Sequence, residues 1–212
     1  CMLKTIIKNK NIYKFITFTM KKLLLILLCL PMLILAQTYV PDANFEAYLE
    51  ANGMGNGTPG DQYVTTASIS AVTSLTVAAV GNIIDLTGIE DFTALTSLHC
   101  NNNQLTSLDV SNNTVLTELI CANNLLTDLD LRNGNNTNMS FFYAYGNPNL
   151  TCISVDDVAW ATANWTAAMF NIDAACSFSA NCNQPTTYVP DDNFEQALIT
   201  LGYDNVADVY VL

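Results

Sequence analysis

Asp109 and Asp130 lie 21 residues apart, and Asp128 stands two residues before Asp130. In a chain that repeats at that interval, the three carboxylates share one outward face. Clustered carboxylate oxygens are what Ca²⁺ prefers, so Asp109, Asp128 and Asp130 form a candidate calcium site. The plainer reading is a solvated acidic face that keeps the protein soluble. General acid–base catalysis has less support, because no aromatic cleft surrounds these acids. Cys100, Cys121 and the single histidine, His99, form a second reactive group. A metal site needs several convergent ligands. The two cysteines instead take inward positions usually held by leucine, while His99 points outward, so core packing is the expected role of the thiols. Ser97 shares the outer face with His99, but no GxSxG context surrounds any serine. No phosphate loop, HExxH or EF-hand loop is present.

The elements that position these residues follow from two periodicities. The pattern LxxLxCxxNxL begins at Leu95 and continues through Leu98, Cys100, Asn103 and Leu105. It recurs as Leu116, Leu119, Cys121, Asn124 and Leu126, and again as Met139, Phe142, Ala144, Asn147 and Leu150. A looser copy begins Val72, Leu75, Val77, so the starts are spaced by 23, 21 and 23 residues. Half-copies lie between them, at Leu105–Leu108–Val110 and Leu126–Leu129–Leu131. The spacing of two inside LxxLxL puts both side chains on one face of a strand. One coil cannot bury that face alone, and stacking coils makes a continuous core. Asn103, Asn124 and Asn147 sit where the chain must turn, and stacked asparagines there can satisfy the turn backbone as a ladder. The half-copies predict a second short strand on the opposite wall.

The longer period links Thr38–Glu46 with Thr187–Glu195, identical at eight of nine positions at an offset of 149. Asp61, Tyr63 and Val64 are echoed by Asp208, Tyr210 and Val211. A second module is therefore expected to begin near Thr187 and to be cut short. Asp42 reads as a helix N-cap, with Phe45, Tyr48 and Leu49 on one helical face and Gly53 as the stop. A short helix is expected near Asp156–Trp165.

The middle of the chain resembles bacterial leucine-rich repeats of the short kind, with a unit of roughly 21 residues carrying two LxxLxL halves. The stretch Ile84-Asp-Leu86-Thr-Gly88-Ile89-Glu-Asp-Phe92 also resembles internalin-type repeats, and the whole module resembles secreted surface proteins of Bacteroidetes-type bacteria. The resemblance implies a mainly β fold: a leucine-rich-repeat solenoid with a short helical N-terminal cap and a C-terminal cap. It also implies a disulfide between Cys152 and Cys182, with Cys176 as an additional thiol. Export followed by the type IX route, which requires a C-terminal sorting domain, is a further implication. The expected segments are an upstream extension over 1–19, a signal peptide over 20–36 and an N-terminal cap over 37–71. Repeats over 72–150, a C-terminal cap and linker over 151–186 and the start of a second module over 187–212 follow.

Composition bounds the function. Half of the residues are hydrophobic, which excludes a disordered chain. From Met20, Lys21 and Lys22 precede a 14-residue apolar run, Leu23–Ala36, and Ala36-Gln37 is a plausible cleavage point for a secretory signal. The run is short for a membrane-spanning helix, and Leu28 before Cys29 argues against a lipoprotein signal. With residues 1–36 removed, Arg132 alone faces 19 acids, a formal charge of −18. Such a surface excludes nucleic acid and anionic membranes as partners. Five cysteines follow the signal, and an odd count leaves at least one thiol unpaired within the chain.

The outward face of the main strands is the candidate recognition surface. Its rows run Ser74, Ser97, Glu118, Phe141; then Thr76, His99, Ile120, Tyr143; then Ala78, Asn101, Ala122, Tyr145. Exposed aromatics on alternate strand positions mark a partner site unless a cap or the next module folds over them. His99, Glu118, Ile120, Phe141, Tyr143 and Tyr145 are thus the candidate residues for binding a protein or glycan at the cell surface or outside the cell. No catalytic residues and no cofactor beyond Ca²⁺ are expected. An accessory module of a larger secreted enzyme and a structural spacer in a surface adhesin are the alternatives.

Overall fold

Inward-facing leucines two residues apart demand strands only three residues long, and three-residue strands are what the chain forms. The computed structural model describes residues 36–79, 82–169 and 171–182, together with the backbone at Thr187, Tyr188, Gln196, Thr200, Tyr210 and Val211. The expected upstream extension and signal peptide, and most of the second module, lie outside the described residues. From Gln37 onward the chain forms one compact unit.

In chain order the unit begins with β1 (Gln37–Tyr39), helix α1 (Ala43–Ala51), β2 (Tyr63–Thr65) and a single helical turn, α2 (Thr66–Ile69). The repeats contribute β3 (Ser74–Thr76), β4 (Ser97–His99), β5 (Ser107–Asp109), β6 (Glu118–Ile120), β7 (Asp128–Asp130) and β8 (Phe141–Tyr143). Then come β9 (Cys152–Ser154), α3 (Val158–Asn164), β10 (Ser177–Ser179), β11 (Thr187–Tyr188) and β12 (Tyr210–Val211). One parallel sheet has the order β3-β4-β6-β8, and a second has the order β10-β9-β7-β5. The register of the first sheet aligns Leu75, Leu98, Leu119 and Phe142. All four are buried, as are Val77, Cys100, Cys121 and Ala144 two residues further on. Leu108, Leu129 and Ile153 face the same core from the second sheet. These strands and turns make a leucine-rich-repeat-like fold with few helices.

Three residues after each strand of the first sheet the turn contains a left-handed residue. Ala79, Asn102, Asn123 and Gly146 have φ of 52°, 57°, 56° and 74°. Their spacing of 23, 21 and 23 residues repeats that of the coils. Asparagine tolerates this conformation better than most residues. At Gly146 a Cβ would also lie 2.3 Å from Asn123 Oδ1, so glycine is required on both counts.

After Asn102, Asn123 and Gly146 the next residue is the expected ladder asparagine. Asn124 Nδ2 donates to the carbonyls of Cys100 (3.1 Å) and Cys121 (2.9 Å), and its Oδ1 accepts from Leu105 N (3.1 Å). Asn147 repeats this, donating to Cys121 O (3.2 Å) and Ala144 O (2.8 Å) and accepting from Leu126 N (3.1 Å). Asn103 donates to Val77 O (2.8 Å) and Cys100 O (3.2 Å), but its Oδ1 is buried with no partner among the described residues. Twenty-one residues before Leu105, the N–H of Ile84 donates instead to Asp42 Oδ2 (2.8 Å).

Asp42 thereby serves two elements. Its Oδ1 accepts from Asn44 N and Phe45 N at the start of α1. Phe45 and Leu49 on that helix are buried as the periodicity predicts, and Gly53 follows the helix with φ of 74°. Glu46 was not expected inside, yet it is only 2% exposed, because its carboxylate accepts from Gly60 N at 2.8 and 2.9 Å. The antiparallel pair β1–β2 was also not expected. Its pairing of Thr38 with Val64 and Tyr39 with Tyr63 recurs in β11–β12 as Thr187 with Val211 and Tyr188 with Tyr210.

At the other end, Trp165 packs on Phe142 with ring centroids 4.4 Å apart. The outer edge of β8 is covered by Asn171, whose carbonyl accepts from Ala144 N (2.6 Å) and whose Nδ2 donates to Phe142 O (2.8 Å). Asp173 accepts from Gly146 N (3.0 Å) and Asn147 N (2.8 Å). Cys152 and Cys182 are joined in a disulfide, while Cys100, Cys121 and Cys176 are free.

The ladder is testable. Asn124→Ala leaves buried backbone donors and acceptors without partners and should lower the unfolding free energy by about 2–4 kcal/mol. Asn103→Ala should cost about 1 kcal/mol less, since its Oδ1 accepts no bond. Urea unfolding of the two variants measures this, and an equal loss at both would contradict it.

Candidate binding face

Parallel register brings the outward residues into rows. Ser74, Ser97, Glu118 and Phe141 align across the sheet, as do Thr76, His99, Ile120 and Tyr143. Phe141 is 52% exposed and Tyr145 38%, while Ile120 and Tyr143 are half-buried. Tyr143 and Tyr145 meet edge to face with centroids 6.4 Å apart. Ala122 departs from expectation: it is buried rather than outward. The chain is entering the turn at Asn123 there, and a one-carbon side chain does not reach past its neighbours.

Met169 is a member of this face that the repeat pattern could not show, because it lies after the repeats. It is 64% exposed. Together with Ile120, Tyr143 and Tyr145 it lines a hollow of about 500 Å³. A second hollow of about 310 Å³ adjoins it, with Phe141, Tyr143, Trp160 and Met169 in its walls. An exposed apolar patch of this kind loses its contact with water when a partner covers it.

At the polar end of the rows, His99 Nε2 lies 3.0 Å from Glu118 Oε1 and 3.4 Å from Ser97 Oγ. The carboxylate and the hydroxyl therefore share one ring nitrogen. A nucleophilic relay needs them on opposite nitrogens, so this trio does not form one. The bond to His99, with a smaller contribution from Ser97, holds the Glu118 carboxyl below its ordinary range. The trio is a hydrogen-bonding patch beside the aromatics.

The three aspartates occupy the other wall. Asp109 is in register with Asp130, and Ser107 with Asp128. The Asp130 carboxylate is held by Arg132, whose Nε donates to Oδ1 and Oδ2 at 3.0 and 3.2 Å. Asp109 Oδ1 accepts from Ser111 N at 2.8 Å. Among the described residues no three His, Cys, Asp or Glu side chains converge to hold a metal ion. Asp130 has a cation beside it, because the turn after β7 brings Arg132 back over it. Arg132 Nη1 also donates to Ala180 O at 3.2 Å.

Cys100 and Cys121 are fully buried. Burial pushes the Cys121 thiol up to about 12 and that of Cys100 well above its ordinary value. Both thiols are thus held in the neutral form at neutral pH.

No protein-family model and no curated protein matches the chain. Solved structures do. An internalin, InlF, from Listeria monocytogenes is 24% identical with a TM-score of 0.43, over 58% of this chain and 40% of that one. The functional domain of InlJ from Listeria monocytogenes, described as including a cysteine ladder, is 25% identical with a TM-score of 0.40, over 58% and 36%. A structure of CBM51-2 in complex with GlcNAc and INT domains from Clostridium perfringens ZmpB is 24% identical with a TM-score of 0.36, over 47% and 21%. The chain spans less than half the length of each. Its leucine-rich-repeat character stands on its own strand register and asparagine bonds.

The Asp130–Arg132 pair generates a pH prediction. The hydrogen bonds and charge of Arg132 lower the Asp130 carboxyl in the folded protein. The resulting stability is present above the unfolded carboxyl range near 4 and is lost as pH falls through the lower folded value. The pair is partly exposed, so solvent screening keeps the contribution below about 1 kcal/mol. Arg132→Ala should show that loss in urea unfolding near neutral pH, and in strong acid only the smaller loss of the bond to Ala180 O.

Proposed function

We propose that this is an exported or cell-surface binding protein that recognises a protein or glycan partner through the outward face of β3-β4-β6-β8. His99, Glu118, Ile120, Phe141, Tyr143 and Tyr145 carry the contact, joined by Met169. The observation that carries this reading is the exposed set Phe141, Tyr145 and Met169 beside two adjoining open hollows. The same chain buries Phe45, Phe92 and Phe142 completely or nearly so. Aromatic side chains contribute large contact area at low entropic cost, and the adjoining His99–Glu118 pair offers directional polar contact. In this reading the repeats form a solenoid, α1 and β1–β2 close its first coil, and the segment from β9 to Cys182 closes its last. Closure at both ends supports recognition on the face rather than by stacking of further coils. No reaction is assigned to the chain.

The repeat of the β1–β2 pairing in β11–β12 favours a second reading, in which tandem modules act as a spacer or accessory to a larger surface protein. Both readings are compatible with partner binding by each module.

Replacement of Phe141, Tyr143 and Tyr145 together by alanine should abolish binding in glycan-array and surface-protein screens. It should move the thermal midpoint by only a few degrees, most of it from the half-buried Tyr143. A large fall in the midpoint would show that the three rings are packed and would overturn the assignment.

A further inference from the structure

A parallel strand directs the backbone groups of successive residues to alternate sides. In β5 the even-numbered residues face β7: Val110 N donates to Asp130 O at 3.0 Å, and Thr106 O accepts from Thr127 N at 2.9 Å. The N–H and C=O groups of Ser107 and Asp109 therefore point the other way. The neighbouring coil bonds this side at Gln104, which donates to Ile83 O at 2.9 Å, and again past β5 at Asn113, whose Nδ2 donates to Ile89 O at 2.9 Å and Phe92 O at 3.2 Å. Between those two points the coils stand apart, and no hydrogen bond among the described residues reaches the backbone N–H or C=O of Ser107 or Asp109. A hollow of about 330 Å³ opens in the gap, with Asp85, Glu90, Ser107 and Asp109 among its walls.

We infer that the bare edge of β5 is a second interaction site, which takes an extended, lysine- or arginine-bearing peptide as an added strand. Backbone donors and acceptors left unpaired on a strand edge form the template for strand addition. The opposite end of the molecule shows what a closed edge looks like, since Asn171 bonds the outer backbone of β8. The charge of the hollow selects the occupant. Asp85 accepts from Thr87 N, Glu90 from Gly88 N and Asp109 from Ser111 N, each through one oxygen. Arg132, the only basic residue after residue 22, is engaged with Asp130. An anionic segment is repelled, whereas alternate basic side chains of an added strand point into the acidic hollow. The site is separate from the aromatic face, so each stands or falls alone.

Isothermal titration of the full chain with a short blocked peptide of alternating valine and lysine tests the inference. The lysine peptide should bind, while the same peptide with glutamate for lysine, or with a central proline, should not. Ser107→Pro removes an outward N–H without touching the β5–β7 bonds, a substitution that edge strands accommodate. It should weaken binding by about tenfold. Asp85→Asn with Asp109→Asn should weaken it less and flatten its salt dependence. If Ser107→Pro fails to fold, amide exchange of the unaltered chain decides: the Ser107 and Asp109 amides should become protected on peptide addition. The inference is overturned if the lysine peptide does not bind. It is equally overturned if those two amides stay unprotected, or if Tyr143→Ala rather than Ser107→Pro removes binding.

Discussion

Every coil of this protein ends in a turn whose main-chain carbonyls point into the interior, where water cannot reach them. In the three later repeats the carboxamide of one asparagine resolves this. Asn124 and Asn147 each bond two carbonyls on one side and accept an N–H from the preceding coil on the other. An unmet buried carbonyl or amide is costly, so the position of these asparagines sets the stacking of the coils. The stacking in turn sets the register of both sheets, and the register sets which side chains share an outer row.

A ladder must end, and both ends use aspartate. Asp42 takes the N–H of Ile84 at the first coil while also capping a helix. Asp173 takes the N–H groups of Gly146 and Asn147 at the last. A carboxylate accepts but does not donate, so neither aspartate presents the donor that would continue the ladder. The orphaned Oδ1 of Asn103 marks the seam where the repeat logic meets the helix cap.

The two outer walls have different chemistry because each coil crosses them with different residues. One wall grades from Ser97, His99 and Glu118 to Phe141, Tyr143 and Tyr145, and exposes apolar surface at its last coil. The other carries Asp109, Asp128 and Asp130, with Arg132 as its local counter-charge.

Residue order alone determined the coil spacing, the inward leucines and cysteines, the ladder asparagines, the Asp42 helix cap and the outward aromatic row. Each of these is a local pattern whose period or capping chemistry is written within a few residues. The alignment of rows then follows, because strands spaced by one coil must pair in parallel. The tertiary structure decided what depends on residues far apart in the chain. Glu46 is buried because the Gly60 loop folds over it. Met169 joins the aromatic face, and Asn171 closes β8 while β5 stays bare. No periodic signal reports these contacts, since non-repeating segments dock wherever the last unpaired backbone groups and apolar rings are left. The Arg132–Asp130 pair lies between: the residues are two apart, but only the turn after β7 makes them meet.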